Sequence, residues 1–407
     1  RFGTKDRAAA HTRLRDYFAA VETPEKVQSL DELAPVIELY HHTVRAGQYD
    51  EARSLLRDRL VPVPLYFQFG AYQLCIDLLR PLFPDGEEAP PRLKDESAQA
   101  WTLAALANSY SLSGQPRRAV PLFELHNALR DKAGDKKNLA IGLGNLAYMA
   151  QMPIGALRAA EANLRRYISL SRELDIEEEN ADAHRELSRL LAYRGVWEEA
   201  EQELAAALHV FEKQSHVQLQ GVTWAYRALR ALLLSRAEAV SHPQSAIRNP
   251  STSLRAGLQS AINAARRALE LADETARVRF PYERDYVRAH WLLGASLRAD
   301  GNLEEAERHL NEALARCRGI NMVDHEAYIL LDLARLRAAS GQRAEALRFA
   351  EEALIITQRS GYVLQEADVR LFLAVTPTPA SPAGGGESAI AHARAARGDL
   401  VLLPKNH

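Results

Sequence analysis

Cysteine is almost missing from this 407-residue chain. Cys75 and Cys317 are the only two, far apart in sequence, so they read as reduced core thiols of a cytoplasmic protein in preference to a disulfide. Aromatic residues are scarce at 7%, and no run of about 18 apolar residues or signal-peptide pattern occurs, which argues against a membrane span or export. Excess charge of one sign is missing as well. With 51 basic against 53 acidic residues the formal net charge is −2, so bulk electrostatic attraction to nucleic acid or membrane is not expected.

Signatures of catalysis are missing in the same way. No G-x-x-x-x-G-K-[ST] loop occurs, and the GGGES at 384–388 has neither a strand before it nor a lysine after it, so it reads as linker. His41 and His42 are adjacent and on a helix point about 100° apart, which prevents them from sharing a metal. His325-Glu326 lacks the second histidine of a zinc-protease helix, and DHEAY reads as a helix start with Asp324 near the cap. No Ser/His or Cys/His constellation can be assembled from spacing. The expectation is a chain without enzymatic activity, cofactor or metal.

What the sequence does contain is a repeated grammar. HWLLGASLRADGNLEEAERHLNEAL (290–314) is an apolar helix, a Gly-centred turn at Gly301, then Glu/Arg-Ala and a second apolar helix. The same order surrounds Gly114, Gly155, Gly195 and Gly341, with an earlier copy at Gly47; most intervals are about 40 residues. Small residues mark where paired helices cross closely: Ala107, Ser188 and Gly294 on first helices, and Ala52, Ala119, Ala160, Ala200, Ala306 and Ala346 on second ones. Larger neighbours such as Tyr110, Leu191, Leu297, Phe123 and Leu310 fill the remaining volume. A stack of such units needs no single large core. The predicted fold is an all-α solenoid of helix-turn-helix repeats.

In HWLLGASLRADGNLEEAERHL and WTLAALANSYSLSGQPRRAVPLF this pattern resembles the tetratricopeptide repeat over residues 30 to 374. The interval near 40 exceeds the usual 34, as in the longer variant of bacterial regulators and kinesin light chains. The resemblance implies a right-handed superhelix. AHTRLRDYFAAV, a short polar linker and LDELAPVIELYHHTVRAGQYDEARSLL also look like the junction in bacterial STAND proteins, signal-transduction ATPases whose NB-ARC-type modules precede a tetratricopeptide sensor. That likeness implies a ligand-sensing arm whose nucleotide-binding module lies upstream, outside this chain.

Three segments follow from composition. Residues 1–25 hold an N-terminal helix at the junction, 26–374 the superhelix, and 375–407 a Pro/Gly-rich linker and tail. Between Gly195 and Gly301 the interval breaks, and SHPQSAIRNPSTSLRAG (241–257) reads as an exposed loop inserted between two helices.

Function is then expected on the concave face, which first helices line in such arrays and which accepts extended peptides or a partner's helix. The side chains projected into it are Trp101, Asn108, Asn145, Arg185, Arg189, Tyr193, Arg227, Arg288, Trp291, Arg298, Tyr328 and Arg335. Arginines and rings of this kind suit a protein or peptide partner with acidic groups. Asn108 and Asn145 are similar in placement to the asparagines that hold a peptide carboxylate in chaperone-binding tetratricopeptide domains, although Ala104 stands where their companion lysine would be. A second assignment pairs these arginines with carboxylates of adjacent helices and leaves the asparagines to cap backbone. An assembly scaffold or transcription-regulator arm that self-associates is the alternative to a sensor.

Overall fold

The computed structural model describes residues 4–24, 27–241 and 251–376, and among these the only regular secondary structure is helical. Among the described residues seventeen α-helices follow one another: α1 Thr4–Ala19, α2 Ala34–Arg45, α3 Tyr49–Leu55, α4 Tyr72–Leu79, α5 Glu96–Leu112, α6 Pro116–Lys132, α7 Lys136–Asn145, α8 Leu157–Glu173, α9 Glu177–Tyr193 and α10 Trp197–Lys213. The remaining seven are α11 Val217–Ser241, α12 Thr252–Val278, α13 Glu283–Asp300, α14 Leu303–Gly319, α15 Val323–Ala339, α16 Arg343–Ser360 and α17 Val363–Val375. Each helix packs chiefly on its neighbours in sequence, so the molecule is a solenoid of helix pairs.

The crossings lie where small residues predict them. Ala52, Ala119, Ala160, Ala200, Ala306 and Ala346 are fully buried on second helices. A Cβ placed on Gly294 would stand 2.8 Å from Leu310 Cγ and 3.0 Å from the Ala306 carbonyl oxygen, so α13 and α14 approach through the missing side chain. Phe123, Leu164, Leu204 and Leu310 fill the adjoining space, each burial contributing roughly 1.5–3 kcal/mol.

Two stretches depart from the expected repeat. The pair turning at Gly47 has a second helix of only seven residues, after which π-helical segments Leu56–Leu60 and Val63–Gln68 carry the chain to α4. The loop expected over 241–257 is cut short by α12, which begins at Thr252. The Ser251 hydroxyl accepts the Leu254 N–H as an N-cap, and Leu254 and Leu258 extend the buried stripe, so 252–257 are helix. Residues 242–250 of that loop, and the linker and tail from 377 onward, lie outside the described residues. With α11 and α12 lengthened to 25 and 27 residues, one enlarged pair accounts for most of the irregular interval before Gly301.

The superhelix curves far enough for its early and late turns to touch. The Val363 N–H donates to the Pro153 carbonyl oxygen at 3.0 Å, and Phe67 meets Tyr282 at a ring separation of 6.1 Å. Glycines permit the closest approaches. A Cβ on Gly70 would lie 2.5 Å from the Ile320 carbonyl oxygen, and one on Gly114 would lie 2.8 Å from Val323 Cγ1 and 3.0 Å from Ser360 Oγ. This seam turns the concave groove into a cavity walled by helices from both ends of the array.

Candidate functional site: a cavity walled by first helices

The cavity has a volume of about 390 Å³ and is lined from Tyr66 near the N-terminal end to Gln365 on α17. Nine aromatic side chains line it: Tyr66, Phe67, Tyr72, Tyr148, Tyr193, Tyr226, Trp291, Tyr328 and Tyr362. Half of the 14 tyrosines of an aromatic-poor chain thus converge on one place. Tyrosine offers a rigid apolar ring with one polar tip, the side chain best suited to enclosing a partner of mixed polarity. Tyr193, Tyr328 and Trp291 form a stack, with ring separations of 6.5 and 4.9 Å.

The charged part of the wall is internally paired. On α9, Arg185 bridges Asp182 and Glu186, and Arg189 contacts Glu186 at 3.1 Å while donating to the Tyr148 carbonyl oxygen at 3.1 Å. The Tyr226 hydroxyl donates to the same Glu186 at 3.2 Å. Arg288 pairs with Asp285 at 3.2 Å, and Gln218 donates to that carboxylate at 2.7 Å. Arg284 holds Asp324 at 2.8 Å, with His325 on its other side at 3.0 Å. Asp324 therefore anchors an ion pair between α13 and α15 instead of capping the helix as its position suggests; α15 has no side-chain cap. Burial raises the Asp182 carboxyl to about 6 against the opposing pull of Arg185. At Asp324 burial also acts upward, but Arg284 and His325 outweigh it and hold the group well below the usual carboxylate range.

Among the described residues several buried polar atoms of this wall have no hydrogen-bond partner. Arg185 is 6% exposed and its Nη1 has no partner; Arg189 Nε and Asn108 Oδ1 are buried without one. Buried polar atoms are normally satisfied, and the shared wall offers both donors and an acceptor. Among the described residues no group of three metal-ligating side chains occurs, and no helix is long and apolar enough to cross a membrane.

Of the twelve residues projected into the groove, Asn108, Asn145, Arg185, Arg189, Tyr193, Arg288, Trp291 and Tyr328 line this cavity. The two asparagines differ in state, because Asn145 Oδ1 accepts the Tyr148 hydroxyl at 2.7 Å. The other four lie elsewhere. Trp101 lies under the Arg53 guanidinium at 4.8 Å, and Arg227 pairs with Glu201 of α10 at 2.7 Å and covers Trp224. Arg298 and Arg335 surround Asp332 on α15. Sequence reading missed Tyr66, Tyr72, Tyr148, Tyr226, Glu186 and Arg284. A signal existed for some of them: Asn145, Glu186 and Tyr226 occupy the same register of three successive first helices, about 40 residues apart.

Comparison with known proteins places a repeat family in part of the chain. The sequence model of the tetratricopeptide repeat matches residues 285–359, which span α13 to α16. Residues 285–359 are thus matched as tetratricopeptide repeats. Solved structures of similar fold include a Rap protein complexed with Competence and Sporulation Factor, at TM-score 0.55 and 13% identity, covering 92% of this chain and 99% of that one. Aspartyl phosphate phosphatase F from Bacillus subtilis superposes at TM-score 0.50 and 14% identity, covering 93% and 96%. A STAND protein with a tetratricopeptide sensor from Pyrococcus horikoshii gives 0.41 at 15% identity, covering 97% of this chain and 52% of that one. Curated proteins contain no match to the sequence. At these identities the likeness concerns the fold of the array, and tetratricopeptide arrays are typically protein-interaction modules without catalysis.

Proposed function

We propose that this array is the sensing arm of a bacterial, cytoplasmic signalling protein of the STAND type, and that it binds a protein or peptide segment in the cavity between its first helices. The observation that carries the reading is the concentration of nine aromatic side chains around Arg185, Arg189 and Asn108, whose buried polar atoms lack partners. A peptide backbone supplies acceptors for the two guanidinium groups and a donor for the asparagine, and the rings supply contact area at low entropic cost. Acidity of the partner is not required. Arg185, Arg189, Arg284 and Arg288 are matched by Asp182, Glu186, Asp324 and Asp285, so a largely uncharged segment suits the wall as well. Binding would act by population shift, favouring whichever curvature of the superhelix it contacts best.

The test is selection of a peptide-display library on the purified chain, followed by calorimetric titration of the synthesised consensus. Binding that weakens by about tenfold or more in Arg189→Ala and Tyr226→Ala, with helicity unchanged, supports the cavity. A consensus that binds both variants as tightly as the parent chain refutes it.

A further inference from the structure

Next to the aromatic stack, and joined to it through Trp291, the concave face carries a second, charged cluster. Asp332, 1% exposed, is approached by three guanidinium groups from three first helices: Arg236 of α11 at 2.7 Å, Arg335 of α15 at 3.2 Å and Arg298 of α13 at 3.7 Å. Its other oxygen accepts the Trp291 indole N–H at 2.9 Å. Arg335 has a further partner in Asp368 of α17 at 2.6 Å. Among the described residues the cluster therefore holds three cations and two carboxylates.

The imbalance falls on Arg298. Asp332 Oδ1 is already engaged by Arg236 and Arg335, so Arg298 is left with the longest contact, and among the described residues its Nε has no partner although the side chain is only 16% exposed. Arg236 Nε is likewise buried and without a partner. A mostly buried guanidinium that is not matched by an anion is costly, and its planar fork fits the two oxygens of a carboxylate or phosphate. Placing three arginines from α11, α13 and α15 around one carboxylate also fixes their relative positions before any ligand arrives.

We propose that Arg298, with Arg236 and Arg335 positioned by Asp332, forms an oxyanion-binding site for a carboxylate or phosphate group, distinct from the aromatic cavity. The site does not depend on the peptide reading. It assigns the preference for an acidic group to one place on the concave face, whereas the arginines around the cavity are already neutralised.

The test titrates inorganic phosphate and, separately, acetate into the full chain at constant ionic strength, following the side-chain Nε–H resonances of 15N-arginine-labelled protein. The Arg298 resonance, assigned by its loss in Arg298→Gln, is expected to shift saturably with at least one probe. Response to phosphate alone identifies a phosphate ligand, response to acetate alone a carboxylate, and response to both the shared oxyanion chemistry. Affinity followed through other resonances should fall about tenfold in Arg298→Gln. That variant leaves two cations facing two carboxylates, so it should fold with a melting temperature at or above that of the parent. No saturable shift with either probe, or undiminished binding in Arg298→Gln, overturns the assignment.

Discussion

Substituting Gly114 by alanine should do two separable things. Gly114 ends the turn between α5 and α6 at φ +83°, and an L-residue held there costs about 1–2 kcal/mol. Its added Cβ would also stand 2.8 Å from Val323 Cγ1 and 3.0 Å from Ser360 Oγ across the seam, and overpacking of this kind costs a further ~1–3 kcal/mol. Gly341 isolates the first effect. It occupies the same turn of a later repeat at φ +76° with no atom within 4 Å of the new Cβ. Gly341→Ala is thus expected to lose about 1–2 kcal/mol in urea unfolding and leave the seam intact. Gly114→Ala meets the additional cost either by losing ~2–5 kcal/mol in all or by letting the seam part. Hydrogen exchange at the Val363 amide, which donates to Pro153 across that seam, separates the two outcomes. Equal stability losses in the two variants, with Val363 protection unchanged in both, would refute a closed superhelix.

Other expectations follow from the buried charges and thiols. Burial tends to raise the Asp332 carboxyl, but Arg236, Arg335, Arg298 and the Trp291 indole outweigh it and hold the group well below its ordinary value. A carboxylate depressed on folding stabilises the protein above its unfolded pKa of about 3.9, and the contribution is lost as pH falls through the lower folded value. Asp332→Asn should therefore cost about 3–5 kcal/mol at neutral pH and show a weaker loss of stability on acidification, measured by urea unfolding from pH 7 downward. Asp182 has the opposite sign. Its folded value of about 6 lies above the unfolded one, so it favours folding most when protonated, and its contribution declines as pH rises from about 4 to 6. Asp182→Asn should remove that decline from the stability profile. Cys75 and Cys317 are fully buried, and burial raises both thiols above their ordinary range. Neither should react with a thiol reagent in the native protein, and both should react once it is unfolded.

The parts of this molecule that repeat were readable in its sequence, because period, turn glycines and crossing alanines each follow from local packing of one helix on the next. The seam was not. It depends on the accumulated rotation of successive repeats, and Gly114 already had a sufficient local reason in its left-handed turn, which concealed its contact with Val323 and Ser360. The early end of the second helix in the pair turning at Gly47 was not readable for a related reason. Its apolar pattern suits helices in general and does not distinguish a continuous α-helix from the π-helical segments at Leu56–Leu60 and Val63–Gln68.

The groove arginines show how charge spacing separates structural from functional candidates. Asp182 precedes Arg185 by three residues, and the same interval relates Glu186 to Arg189, Asp285 to Arg288 and Asp332 to Arg335; each of these couples is an ion pair in the structure. On a helix this spacing brings side chains together, so those four arginines carried the mark of internal neutralisation in the sequence itself. Arg298 has Ala295 and Gly294 at the corresponding places, and Arg236 has Leu233 and Leu232. Neither can be neutralised along its own helix. Both must borrow Asp332 from α15, which already serves Arg335, and a carboxylate shared three ways leaves positive charge uncompensated. The two arginines of the proposed oxyanion site that lack a carboxylate of their own helix are thus the ones without an acidic neighbour one turn away, and the proposed preference for an anion rests on that minority of the groove arginines.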